Sequence, residues 1–142
     1  MRVRRTPNPP RRGVQAVEAA IVLPVVMMLT LGTCSTAMGV YYYQLVATLA
    51  REGARWASVH GTQYAADTGN PAATPADIYN NSILPMAVGL NLNNLNYAVA
   101  WNTTKSPYNN SVSVTVTYQW TPDLYITGPL NLTSTSVMPM SY

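Results

Sequence analysis

The amino-acid sequence predicts an α+β protein: a long N-terminal transmembrane α-helix that continues into a small head with a three-stranded antiparallel sheet. Three observations predict it. Residues 19–50 contain no Asp, Glu, Lys or Arg. Val112, Val114, Val116, Tyr118 and Trp120 alternate with Ser113, Thr115, Thr117 and Gln119, the period-two pattern of a half-buried strand. Between these segments the composition turns to Asn, Pro, Ala, Thr and Gly, which marks the passage from helix to a loop-rich head.

The 142 residues leave room for one domain and little more. Charged residues are 9% of the chain, against roughly 25% in ordinary soluble domains. The formal net charge is +3, but Arg2, Arg4, Arg5, Arg11 and Arg12 all precede the apolar segment, and the remainder holds three basic groups against five acidic ones. The basic character therefore belongs to the tail. A nucleic-acid surface needs Lys and Arg along a folded face with aromatics between them, and no such pattern is present in the sequence. Cys34 is the single cysteine, so no disulfide framework is possible.

The span comes first in the chain. Residues 19–40, at about 1.5 Å each, reach roughly 33 Å, which matches a hydrocarbon core of about 30 Å. This run is too long for the apolar region of a cleaved secretory signal, about 7 to 15 residues. A lipoprotein signal ending at Cys34 would place Thr33 where a smaller residue is usual. Five arginines before the span, with only Arg51 and Arg55 well beyond it, predict a cytoplasmic N-terminus and put everything after Tyr43 on the other side. Tyr41, Tyr42 and Tyr43 stand where an interfacial aromatic belt sits, or where rings pack on the head. Pro24 removes one backbone donor inside the helix and predicts a kink near Ala20 and Ile21. Gly32, Ser35, Thr36, Ala37 and Gly39 form a small-residue patch where another helix can approach, and Cys34 belongs to it. Glu18 lies at the entrance to the span. A carboxylate costs about 2.5 to 3.5 kcal/mol at a membrane helix centre and less near an end, so Glu18 requires headgroup solvation or a cationic partner.

The expected domain boundaries are a basic leader at 1–13, the N-terminal helix at 14–60 and the head at 61–142. Past the belt, Leu45, Leu49, Trp56 and Val59 approximate one helical stripe, while Arg51 and Arg55 share another face and Glu52 reaches Arg55 at i+3. Gly61 supplies the stop. Thr74-Pro75-Ala76-Asp77 reads as an N-cap with proline at the first helical position, opening a short helix to about Leu84 that Pro85 limits. Residues 90–96 read as loop. Tyr97, Val99 and Trp101 make one strand, the alternating segment a second, and Leu130, Leu132, Met138 and Met140 a third. The apolar face of this sheet is expected to pack on the upper part of the long helix.

No chemistry-bearing constellation emerges from the pattern. His60, Cys34, Asp67, Asp77 and Asp123 are scattered, and neither a P-loop nor a dinucleotide fingerprint occurs. The expectation is a protein that is not an enzyme and holds no cofactor or metal. Asp67, Asp77 and Asn70 are the oxygen donors to weigh for calcium.

In Arg11-Arg12-Gly13-Val14-Gln15-Ala16-Val17-Glu18 a basic leader ends at a glycine, an apolar helix begins, and a carboxylate follows five residues after the glycine. Together with Glu18-Ala19-Ala20-Ile21-Val22-Leu23-Pro24 and Ala50-Arg51-Glu52-Gly53-Ala54-Arg55, this resembles the TadE-like pseudopilins of the tight-adherence (Flp, type IVc) pilus system. The resemblance covers residues 11 to about 57. It implies a class III signal peptide, cut by a prepilin peptidase between Gly13 and Val14. Glu18 would then be the fifth residue of the processed chain, at i to i+4 from the new amine on Val14, which it would pair in its own chain or a neighbour's. Arg51, Glu52, Gly53, Ala54 and Arg55 are the second motif. The resemblance also implies structural work: assembly with other pilin and pseudopilin subunits and the tight-adherence machinery, through packing of the N-terminal helix. The implied partners are the peptidase, those subunits and the lipid bilayer, with no nucleic acid. The implied location is the inner membrane, single-pass, with onward passage to a pilus or the cell surface. The alternative is an uncleaved or lipid-anchored membrane protein whose head binds a ligand or surface.

Overall fold

The structure, a computed structural model, describes residues 12–102, 110–122 and 128–140, with the side chains of residues 12 and 63 outside that description. The basic leader expected at 1–13 therefore lies outside the described residues as far as residue 11. Residues 12 and 13 already belong to the first helix.

That helix, α1, runs Arg12–Val59 as one element of 48 residues and passes through Pro24 without interruption. Its hydroxyls bond to their own backbone, as an apolar setting demands. Thr30 Oγ1 donates to the carbonyls of Val26 and Met27, both at 3.0 Å. Thr33 Oγ1 donates to Leu29 at 3.0 Å and Thr30 at 2.8 Å, and Thr36 Oγ1 to Gly32 at 2.8 Å.

The upper part of α1 enters the core through Val46, Leu49, Ala50, Gly53, Ala54 and Ala57, all buried. This corrects the expected stripe: Leu49 is on it, Leu45 and Trp56 are half-buried beside it, and Val59 is exposed. The cause is close approach. A Cβ on Gly53 would stand 3.1 Å from Val114 Cγ1 and 3.4 Å from Ile83 Cγ1, so the face that meets the sheet is built from small residues.

After α1 the chain does not pass directly into loop. A short helix, α2, spans Thr62–Thr68 and closes on Gly69, whose φ of 71° is the left-handed conformation that glycine adopts without strain. The Thr74 signal is realised as a capping box at the start of α3, Pro75–Ile78. Asp77 N–H donates to Thr74 Oγ1 at 3.3 Å, while the Asp77 carboxylate accepts from Thr74 N–H at 2.9 Å and from its hydroxyl at 2.7 Å. The helix widens into a π turn at Tyr79–Ile83 and ends as α4, Leu84–Met86, so Pro85 sits in the last turn instead of stopping the helix before it.

Three strands follow: β1 at Leu95–Asn102, β2 at Ser111–Trp120 and β3 at Leu130–Pro139, in spatial order β1-β2-β3. Both pairs are antiparallel with unbroken register. β1 starts earlier than Tyr97 because Leu95 is already an inward, buried position opposite Tyr118. The expected loop before it holds a 3-10 turn at Leu92–Asn94, where Asn91 Oδ1 accepts from Asn93 N–H at 3.1 Å. Val112, Val114, Val116 and Tyr118 face the core, as their alternation predicts. In β3, Leu132 and Met138 are half-buried, with Met140 just past its end, whereas Leu130 at the sheet's end is exposed. On the outer face Thr115 bonds Thr135 at 2.9 Å and Thr117 bonds Thr133 at 3.1 Å.

Two contacts fix how the helix lies on the sheet: Gly39 sits under Trp120 and Gly53 under Val114. The helical path from 39 to 53, at about 1.5 Å per residue, covers about 21 Å, and the strand path from 120 to 114, at about 3.3 Å per residue, covers about 20 Å. α1 and β2 therefore run side by side in opposite directions.

Candidate functional site

The lower part of α1 stands clear of the head. Val14, Val17, Ile21, Leu23, Met28 and Leu29 are all more than half exposed. Among the described residues, α1 is the one helix long and apolar enough to cross a membrane, and no other described residue buries its most apolar stretch. A surface of this kind is stable against lipid or against other apolar helices, not against water.

The expected processing residues lie in the first turns of this helix. Among the described residues, nothing stands within 4 Å of the place a Cβ on Gly13 would occupy. Val14 is 69% exposed, and Glu18 is exposed one helical turn further on. The i to i+4 spacing puts Val14 and Glu18 on one face, so an amine created at Val14 would be a near neighbour of the carboxylate.

The small-residue patch divides between two directions. Thr36 is exposed, while Gly32, Ser35 and Gly39 are half-buried. At Gly39 the cover comes from the chain's own head, because an added Cβ would meet Trp120 Cζ3 at 2.9 Å. One turn higher, the Tyr42 ring lies 5.7 Å from that of Tyr118 and 6.2 Å from that of Trp120. Tyr41 and Tyr43 point outward and are available to an interface. Of the two expected roles, packing on the head belongs to Tyr42. Gly39, Tyr42, Val46, Leu49, Gly53 and Trp56 alternate spacings of three and four, a heptad stripe turned toward the head. The spacing is present in the sequence, but its mixture of glycines and aromatics hides it from a hydrophobicity count.

The second motif separates by burial. Gly53 and Ala54 are buried and seat the helix on the sheet; Arg51 and Arg55 are exposed. Glu52 pairs with Arg55 at 3.8 Å, as the i+3 spacing predicts. With both partners open to solvent, this pair contributes little to stability. Beside it lies a groove of about 420 Å³, bordered by Glu52, Arg55, Trp56, Val59, Pro85 and Met86. The sequence pattern did not reveal this groove, because its two walls are α1 and the π turn with α4.

The remaining polar candidates are engaged locally. His60 is half-buried at the end of α1, its ring stacked 4.0 Å from Trp56 at an interplanar angle of 11°, with Nδ1 2.9 Å from the Trp56 carbonyl oxygen. The hydrogen bonds from the Thr74 hydroxyl and Thr74 N–H hold the Asp77 carboxyl below the usual carboxylate range. That carboxylate is committed to the cap, and the Asn70 side chain donates to the Tyr64 hydroxyl at 3.4 Å. Among the described residues no three His, Cys, Asp or Glu side chains gather as a metal site would require.

What this geometry offers is anchoring and packing: an exposed apolar half of a helix, and a head clamped to its other half. No curated protein and no solved structure matches the chain. A family model does, the one described as TadE-like protein, over residues 13–55. The match starts at Gly13, includes Glu18 and the exposed apolar part of α1, and closes on Arg55, so the segment that carries the candidate site is similar to that family.

Proposed function

We propose that this chain is a pseudopilin-type structural subunit of a tight-adherence pilus system, held in the inner membrane by α1 with its N-terminus cytoplasmic and its head extracytoplasmic. A prepilin peptidase cleaves between Gly13 and Val14, and the processed chain assembles with other subunits through its N-terminal helix. The observation that carries this reading is where the family match falls on α1. The match begins at the glycine, takes in the whole exposed apolar part of the helix and continues into the part seated on the head. Glu18 then sits within a turn of a newly formed amine, where the pair relieves the cost of a carboxylate at the membrane.

Gly13→Val tests the processing step. A valine Cβ and its methyls obstruct the approach of a peptidase to the Gly13–Val14 bond. The variant should accumulate in the membrane at full-length mass, with an unaltered head. A variant processed to the same product as the natural chain would count against the reading.

A further inference from the structure

Among the described residues, the sheet ends at β1 and β3, and no strand pairs with the outer edge of either. Neither strand contains a charged residue, the one proline, Pro139, only closes β3, and the registers run without a bulge. Charges, prolines and bulges are the devices that keep a sheet edge from pairing with another chain, and both edges lack them. The outer face beside them is equally neutral, with Ala98 and Ala100 on β1 and Thr133 and Thr135 on β3.

Orientation decides the partner. Because β2 runs opposite to α1, β1 and β3 both run with α1, and the two edges face sideways from the helix axis. Copies inserted in one membrane share a single helix direction. Pairing β3 with β3 of another copy, antiparallel about a two-fold axis normal to the sheet, would reverse one helix relative to the other. Pairing β3 with β1 of the next copy keeps every α1 pointing the same way and forms a parallel pair. This contact is heterologous and leaves one edge free at each end, so it continues as a row.

We propose that the heads of this chain join head-to-tail, β3 of one copy adding as a parallel strand to β1 of the next. The proposal rests on the membrane-spanning reading of α1 given above. The pleat limits the register to steps of two residues: Tyr97, Val99 and Trp101 continue the inner face of Leu132 and Met138, and Ala98 and Ala100 continue the outer face of Thr133 and Thr135.

Cysteine cross-linking of the full chain in its membrane tests it, in a Cys34→Ser background. Ala98 and Thr135 both stand opposite Thr115, two strand spacings apart, about 10 Å, too far for a disulfide within one chain. A chain carrying Ala98→Cys and Thr135→Cys should give a ladder of dimers, trimers and higher species on mild oxidation. Ala100→Cys or Thr133→Cys in the corresponding pairs covers the neighbouring registers. Either single-cysteine chain alone should remain monomeric, and the two co-expressed should stop at dimers. Adding Thr133→Lys to the Ala98→Cys, Thr135→Cys chain places a charge on the edge at an exposed site and should remove the ladder while the head keeps its protease resistance. Dimers from Thr135→Cys alone would overturn the head-to-tail geometry. So would protease-resistant heads that form no ladder in any register. The N-terminal mass of the same samples separates the two proposals. Ladders from an uncleaved chain uphold edge pairing and refute processing, whereas a cleaved chain without ladders refutes edge pairing alone.

Discussion

Gly53 shows how one residue sets the relation of helix to head. Its missing side chain lets α1 approach Val114 and Ile83, and nothing larger fits without displacing them. Gly53→Val should destabilise the head by about 1 to 3 kcal/mol, the range for overpacking, read as a lower midpoint of thermal unfolding in detergent micelles. Gly53→Ala should be milder, since the alanine gains about 1 kcal/mol of helix propensity against a smaller clash. The motif containing Gly53 was legible in the sequence, but its packing role was not, because glycine adds nothing to a hydrophobic stripe. Glu18 is the opposite case, a residue free of the head and open to a partner. Glu18→Ala should leave the amount of processed protein and the protease resistance of the head unchanged while reducing cross-linking to neighbouring subunits. Undiminished cross-linking would make Glu18 a solvated surface group.

Among the elements, those with a local chemical signature were legible. The alternation of β2 and the Thr74–Asp77 cap each name their own structure. α2 was not legible, because its N-cap is Gly61, which has no side chain to cap with, and it carries no apolar period. The π turn was not either, since its wider hydrogen bonding has no signature in residue type. The capping box also gives a pH dependence with a definite sign. The Asp77 carboxyl is held below its ordinary range when folded, so its stabilisation of α3 is complete above the unfolded value and lost as pH falls through the folded one. Protection of the α3 amides, taken against the intrinsic exchange rate at each pH, should therefore fall in acid. Thr74→Ala should lower that protection at neutral pH and flatten its acid dependence; an acid dependence that persists in this variant would show that the cap is not its source.

At the scale of the whole molecule, α1 does two jobs in series. From Gly39 upward it is a core helix clamped by the sheet, and below that it is bare apolar surface. The bare part, from residue 13 to 38, is about 39 Å long at 1.5 Å per residue, enough for a hydrocarbon core of about 30 Å and a further turn at its boundary. That a long apolar helix and a three-stranded head would exist was legible from charge and alternation. Where one ends and the other begins was not, because the boundary is set by Trp120, far away in sequence. The most direct measurement is the N-terminal mass of the natural chain extracted from membranes. A chain beginning at Val14 is the expected result. One beginning at Met1, or at a lipid-modified Cys34, would contradict the proposed processing and assembly.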